Sequence, residues 1–180
     1  MRIPEDAFAE ECGICAVGGH LDAANLVYLG LYALQHRGQE SAGIAAFDGH
    51  ELRWHKEMGY VAEIFDRERL AKLPGSTAVG HVRYSTAGDS LLANAQPVVA
   101  KTRRGALALA HNGNLVNALR LRHQLELEGA IFQSTSDSEV FLHLIARSRA
   151  QGVERALLDA VDQAVGAYSV AIICDGRLFA

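Results

Sequence analysis

Cys12 joins a polar, acidic stretch, Met1 to Glu11, to a run of small and apolar residues, Gly13 to Gly19. A thiol becomes a useful nucleophile as its thiolate or beside a base. With residues 1–11 removed, the α-amine of Cys12, whose reference pKa is about 7.7–8.0, supplies that base from the same residue. The competing reading is an ordinary buried cysteine at a strand end. His111-Asn112-Gly113-Asn114 sets a side-chain amide beside an unhindered backbone N–H, a pair able to hold the oxyanion formed at a carboxamide carbon. Losing one good donor of that kind typically costs about 2.7–4 kcal/mol of barrier stabilisation. Asn-Gly is equally a turn dipeptide. Arg83, just before the Ser85-Thr86-Ala87-Gly88 loop, offers a fork of N–H donors for a carboxylate, or one half of a structural salt bridge. Asp137 can hold an ammonium, or simply favour the positive end of a helix from its first turn.

These residues need elements to bring them together. Gly13 to Gly19 reads as a buried strand. Asp22 caps a predicted helix through about Arg37, with Leu26, Leu29, Ala33 and Leu34 expected on its buried face. Ser41 to Phe47 and Glu51 to Glu57 read as a hairpin around Asp48-Gly49-His50. A short helix over Asp66 to Leu73 precedes a strand over Thr77 to Tyr84. After the loop Ser85 to Gln96, Pro97 to Lys101 and Ala106 to His111 form two more strands around the turn Thr102 to Gly105. Asn114 is expected to cap a helix through Glu128. Ser136-Asp137-Ser138-Glu139 reads as a capping box opening a helix to about Ala150, and Val153 to Val165 as a third helix. Tyr168 to Cys174 and Arg177 to Ala180 close the pattern as strands around Asp175-Gly176. Strands arriving in hairpins, with helices grouped between them, predict an α+β domain of two antiparallel sheets covered by helices.

The 180 residues, 49% apolar, fit one domain that buries roughly 70% of its unfolded surface without a staple. The net charge of −4 and the scattered cations give no basic stripe, so nucleic acid is not expected as a partner. No apolar run approaches the roughly 20 residues that span a bilayer, and the acidic start lacks the apolar middle of a secretory signal. A cytoplasmic protein with no membrane partner is expected. Cys12, Cys15 and Cys174 cannot all pair with one another, and the histidines form no ligand cluster, so no disulfide framework and no metal are expected in this segment.

Five motifs in order carry a resemblance: Cys12-Gly13-Ile14; Leu34-Gln35-His36-Arg37-Gly38-Gln39-Glu40-Ser41-Ala42-Gly43; Gly80-His81-Val82-Arg83-Tyr84-Ser85-Thr86-Ala87-Gly88; Ala110-His111-Asn112-Gly113-Asn114-Leu115; and Thr135-Ser136-Asp137-Ser138-Glu139. From Cys12 to Ala180 the chain resembles the class II glutaminase domain of the amidophosphoribosyltransferase family. The second and third motifs differ from those of glucosamine-phosphate synthases, and asparagine synthetases depart further.

The resemblance implies the αββα sandwich of N-terminal nucleophile hydrolases, with Cys12 as nucleophile after loss of a leader propeptide, residues 1–11. It further implies Asn112 and Gly113 as the oxyanion hole, Arg83 and Asp137 as ligands of the α-carboxylate and α-ammonium of glutamine, and Arg37 beside the nucleophile. Residues 12–180 then read as a truncated glutaminase domain, lacking the phosphoribosyltransferase domain in which phosphoribosyl pyrophosphate takes up the ammonia to give 5-phosphoribosylamine in purine synthesis. Full-length members are expected to be homo-oligomers that use Mg2+. Many members with a leader also carry an iron–sulfur cluster, whose ligands would lie mostly past Ala180. The rival readings are a glutaminase domain serving another acceptor such as a sugar phosphate, and an unprocessed, non-catalytic binding module.

Overall fold

The computed structural model describes residues 12–84 and 91–180, so the polar leader and the loop Ser85-Thr86-Ala87-Gly88 lie outside the described residues. Small and β-branched residues in alternation build two four-stranded antiparallel sheets. The first contains β1 (Gly13–Gly18), β2 (Ser41–Phe47), β3 (Leu52–Met58) and β4 (Thr77–Arg83), in the order β1-β4-β2-β3. The second runs in chain order: β5 (Val98–Thr102), β6 (Gly105–Leu115), β7 (Gly166–Cys174) and β8 (Arg177–Phe179). The helices are α1 (Ala23–Ala33), α2 (Val61–Ile64), α3 (Arg67–Ala71), α4 (Ala118–Leu127), α5 (Ser138–Arg147) and α6 (Val153–Val161). Among the described residues no helix is long and apolar enough to cross a membrane.

Because successive strand residues point to opposite faces, each sheet has an outer face under helices and an inner face against the other sheet. Ala78 and Val82 of β4 pack with Val27 and Leu31 of α1 in one outer core. Val79 of β4 meets Ala45, Ala108, Ala110, Ala171 and Ile173 in the central layer. Leu107, Leu109 and Ile172 pack beneath α4, α5 and α6 around the fully buried Phe141 and Ile145. The small central side chains let the two sheets approach. On the outer face Gly80 lets α1 approach β4, because a Cβ there would collide with Val27 and Leu31.

The layers and the hairpins are those expected, but several local readings need correction. The buried stripe of α1 is Ala23, Ala24, Val27 and Leu31, whereas Leu26 and Leu29 are exposed. The helix is apolar on more than one side, so periodicity alone could not choose the face that meets β4. α1 also ends at Ala33 and passes into a single tight turn, Gln35–Arg37. Asp22 makes no side-chain cap, and β1 is a half-buried edge strand. Asn112, Gly113 and Asn114 belong to β6, paired with Ser169, Tyr168 and Ala167, so this Asn-Gly is no turn and Asn114 caps no helix. Asn117 precedes α4 instead, and its side chain ties back to Gln163 and Val165. The capping box before α5 is absent: Glu139 turns away to accept the N–H groups of Gln133 and Ser134 at 2.9 and 2.8 Å. Asp66 does cap α3, accepting the Arg69 N–H at 2.7 Å.

The corrected face of α1 has a measurable consequence. Leu31→Ala, at a site with no exposure, is expected to cost roughly 2–5 kcal/mol in denaturant unfolding, and Leu29→Ala about 0.5 kcal/mol or less. Equal losses would return the expected face.

Candidate active site

β1 and β4 pair with Gly13 opposite Val82, so Cys12 and Arg83 emerge side by side at the same end of the first sheet. Cys12 follows the alternation of Ile14 and Ala16, which face the central layer. Its half-buried thiol donates to the Tyr84 carbonyl at 3.7 Å, and its own carbonyl accepts from Arg37 Nε at 2.9 Å. Arg37 is thereby placed beside Cys12, and Gly38 lets this segment lie on β4, where a Cβ would strike the backbone of Val82 and Arg83. Burial pushes the Cys12 thiol up; the Tyr84 carbonyl contact and the nearby Arg83 and Arg37 oppose this in part, while Glu40 adds to it. In the uncleaved chain the Cys12 nitrogen is an amide and offers no base. Cys12 and Cys15 stand at C-x-x-C spacing, but strand alternation sends Cys15 to the outer face against Gly30 of α1. Both are free thiols, and Cys174 is a third, buried under the other sheet. These positions do not suit an iron–sulfur cluster, and no metal-holding group of His, Cys, Asp or Glu occurs among the described residues.

Cys12, Arg83, Gly113 and Asp137 line one cavity of about 590 Å3, together with Gln96 and His111. Arg83, 5% exposed, forms an ion pair with Glu40, the salt bridge that the sequence left open, while still facing the cavity. Asp137 stands at the start of α5, and its side chain makes no cap bond to that helix. Its carboxylate accepts the Leu115 N–H at 3.1 Å and lies 3.5 Å from His111 Nδ1. His111 Nδ1 is also 3.1 Å from the Ser138 hydroxyl. Gly113 has φ 129°, and a Cβ there would collide with the Ala167 carbonyl, so only glycine suits this bend of β6. Asn112 is half-buried and not among the residues lining the cavity; alternation with Ala108 and Ala110 puts it on the central face, as Cys12 is.

Five neighbours escaped the sequence reading. Glu40 lies within the second motif, His81 within the third, His111 and Ser138 within the fourth and fifth, and Gln96 before β5. His81, two residues before Arg83 on the same strand face, had a signal in the period of two. His81 has no exposure, and its Nε2 donates to the His111 carbonyl at 3.0 Å. Burial, foremost, lowers its pKa to about 3, so the imidazole is neutral at physiological pH.

Two outcomes follow from these environments. In protein that retains the leader, the pH profile of Cys12 alkylation should have its inflection above the ordinary thiol range, and cleavage should speed labelling at neutral pH. An inflection below that range would contradict the burial argument. For His81 the folded state binds its proton only near pH 3, whereas the unfolded state binds it near 6.5. Stability from this group is therefore full above pH 6.5 and is lost as pH falls towards 3, with a slope of roughly 1.4 kcal/mol per unit. Denaturation at several pH values should show that slope reduced in His81→Gln.

The geometry can be set beside known proteins. A family model described as a glutamine amidotransferase domain matches residues 81–179. An amidophosphoribosyltransferase of Rhizobium etli is 49% identical over 97% of this chain and 36% of its own length. One of Lacticaseibacillus casei is 46% identical over 95% of this chain and 89% of its own length. The solved glutamine phosphoribosylpyrophosphate amidotransferase of Bacillus subtilis, in complex with ADP and GMP, superposes with a TM-score of 0.83 at 44% identity, covering 89% of this chain and 35% of that one. This chain thus spans about a third of the length of the Rhizobium and Bacillus proteins. The two facing antiparallel sheets and their helices are the sandwich of the N-terminal nucleophile hydrolases. With the family model covering more than half of its residues and the relatives agreeing, the chain belongs to the glutamine amidotransferase domain family, in its amidophosphoribosyltransferase branch.

Proposed function

We propose that this chain is the glutaminase unit of an amidophosphoribosyltransferase and takes ammonia from glutamine through Cys12. The observation that carries this reading is the grouping of a thiol, a guanidinium and a carboxylate, Cys12, Arg83 and Asp137, around one cavity. Arg83 takes the α-carboxylate of glutamine and Asp137 its α-ammonium, which directs the side-chain carboxamide toward Cys12. The free amine of Cys12 accepts the thiol proton as sulfur attacks the carboxamide carbon. The oxygen, now carrying the negative charge, is held by the Asn112 side chain and the Gly113 N–H. The ammonium of Cys12 returns the proton to the departing nitrogen as the C–N bond breaks, releasing ammonia and leaving a γ-glutamyl thioester. Water, deprotonated by the same amine, attacks the thioester, and the products are glutamate and the regenerated thiol. Arg37 holds the Cys12 carbonyl and so fixes the nucleophile's backbone.

The relatives' shared name favours phosphoribosyl pyrophosphate over a sugar phosphate as the ammonia acceptor. In this reading the acceptor site, and any Mg2+ or iron–sulfur chemistry, belong to the part of those proteins that this chain does not cover. The work of residues 12–180 is then glutamine capture and hydrolysis.

Intact mass of active protein should show the loss of Met1 to Glu11. A glutamine-like electrophile should label Cys12, which lines the cavity, and spare Cys15 and Cys174, which do not. Full activity with the leader retained, or even labelling of the three cysteines, would sink the self-base mechanism. Arg83→Lys should raise the glutamine KM about tenfold or more, because an ammonium cannot reproduce a two-pronged grip and each 1.4 kcal/mol is a factor of ten. Asp137→Asn should act in the same direction. Unchanged KM in both variants would leave these residues with structural roles only.

A further inference from the structure

Gln96 stands where the two sheets meet at the site. The register of β5 and β6 pairs Val98 with Leu109, so a ladder continued by two residues would set Gln96 opposite His111. The backbone ladder stops at Val98. The Gln96 carbonyl instead lies against Gly43 of the first sheet, so closely that a Cβ there would collide with it. The Gln96 side chain supplies the missing pair. Its Oε1 accepts the His111 N–H at 2.7 Å and its Nε2 donates to the His111 carbonyl at 3.1 Å. A strand residue in a hydrogen-bonded antiparallel pair would exchange the same two bonds. From β4 of the other sheet, His81 Nε2 donates to that same carbonyl at 3.0 Å. All three residues are buried, with Gln96 at 4%, His81 at 0% and His111 at 2% exposure.

The His111 carbonyl belongs to the peptide whose nitrogen is that of Asn112, and the Gly113 N–H follows one residue later. Past Leu109, β6 has β7 on one side and no β5 residue on the other, and at Gly113 its backbone bends. On the side away from β7, side chains rather than a β5 strand residue meet this peptide. We propose that Gln96, assisted by His81, is a positioning residue that fixes the plane of the His111–Asn112 peptide and so aims Asn112 and the Gly113 N–H at the substrate oxygen. The inference rests on reading Asn112 and Gly113 as the oxyanion pair.

Gln96→Met keeps the side-chain length and removes both bonds. In purified protein with Cys12 at its N-terminus, this variant should lose about 100-fold in glutaminase kcat, the scale of a misplacement near 1 Å, with the glutamine KM little changed because the α-groups are held elsewhere. Alkylation of Cys12 by iodoacetamide, a displacement at saturated carbon that forms no oxyanion, should proceed at the wild-type rate. His81→Gln, which retains a donor, should keep most of the kcat that His81→Leu loses. A folded Gln96→Met protein with kcat near wild type, or with alkylation falling in step with glutaminase, overturns the proposal. Should thermal melting show that Gln96→Met does not fold, equal kcat in the two His81 variants overturns it. Wild-type protein devoid of glutaminase activity defeats the parent reading, and is told apart because the wild type itself then fails.

Discussion

The carbonyl of His111 is the point on which this site depends. It accepts one hydrogen bond from Gln96, in the segment leading into β5, and another from His81 on β4 of the opposite sheet. Arg83 belongs to the first sheet and Cys12 leads into it, while Asn112 and Gly113 belong to the second and Asp137 leads into the helix behind it. A central layer of alanines brings the sheets together but says little about how far one slides over the other. Directional bonds in a dry interior fix that relation, and leaving such groups unpaired would cost roughly 1–3 kcal/mol each.

A second constraint is electrostatic. Arg83 and Glu40 form an ion pair with side chains only 6% and 11% exposed, at the wall of the cavity. Removing two charges from water is costly, so such a pair is weak evidence for stability. Its effect is on order: the guanidinium is held in place at the strand end, next to the segment that positions Arg37. In the proposed function, a glutamine carboxylate would meet a cation whose geometry is already set, which lessens the entropy lost on binding.

Burial also bears on how a cysteine in this setting would behave in an uncleaved chain. Desolvation disfavours the thiolate, and the cations around it offset this in part. Cleavage before Cys12 replaces an amide by an amine whose ordinary pKa, about 7.7–8.0, suits proton transfer near neutral pH. Reactivity would thus arrive with a covalent change at one nitrogen.

Much was legible in the order of residues. Hairpins around Asp48-Gly49 and Asp175-Gly176 are local features that pointed to two helix-covered sheets, and the resemblance carried by the five motifs singled out Cys12, Arg83 and Asp137, which share one cavity. Choices between locally equivalent options belonged to the tertiary structure. α1 carries apolar residues on two sides, and contact with β4 buried Leu31 rather than Leu29. Asn112-Gly113 has the composition of a turn, and pairing with β7 made it a bent strand. Gln96 and Glu40 have no local signature because they act on partners 15 and 43 residues away. Periodicity and turn chemistry operate within a few residues; hydrogen bonds and ion pairs between sheets exist only once the chain has closed on itself.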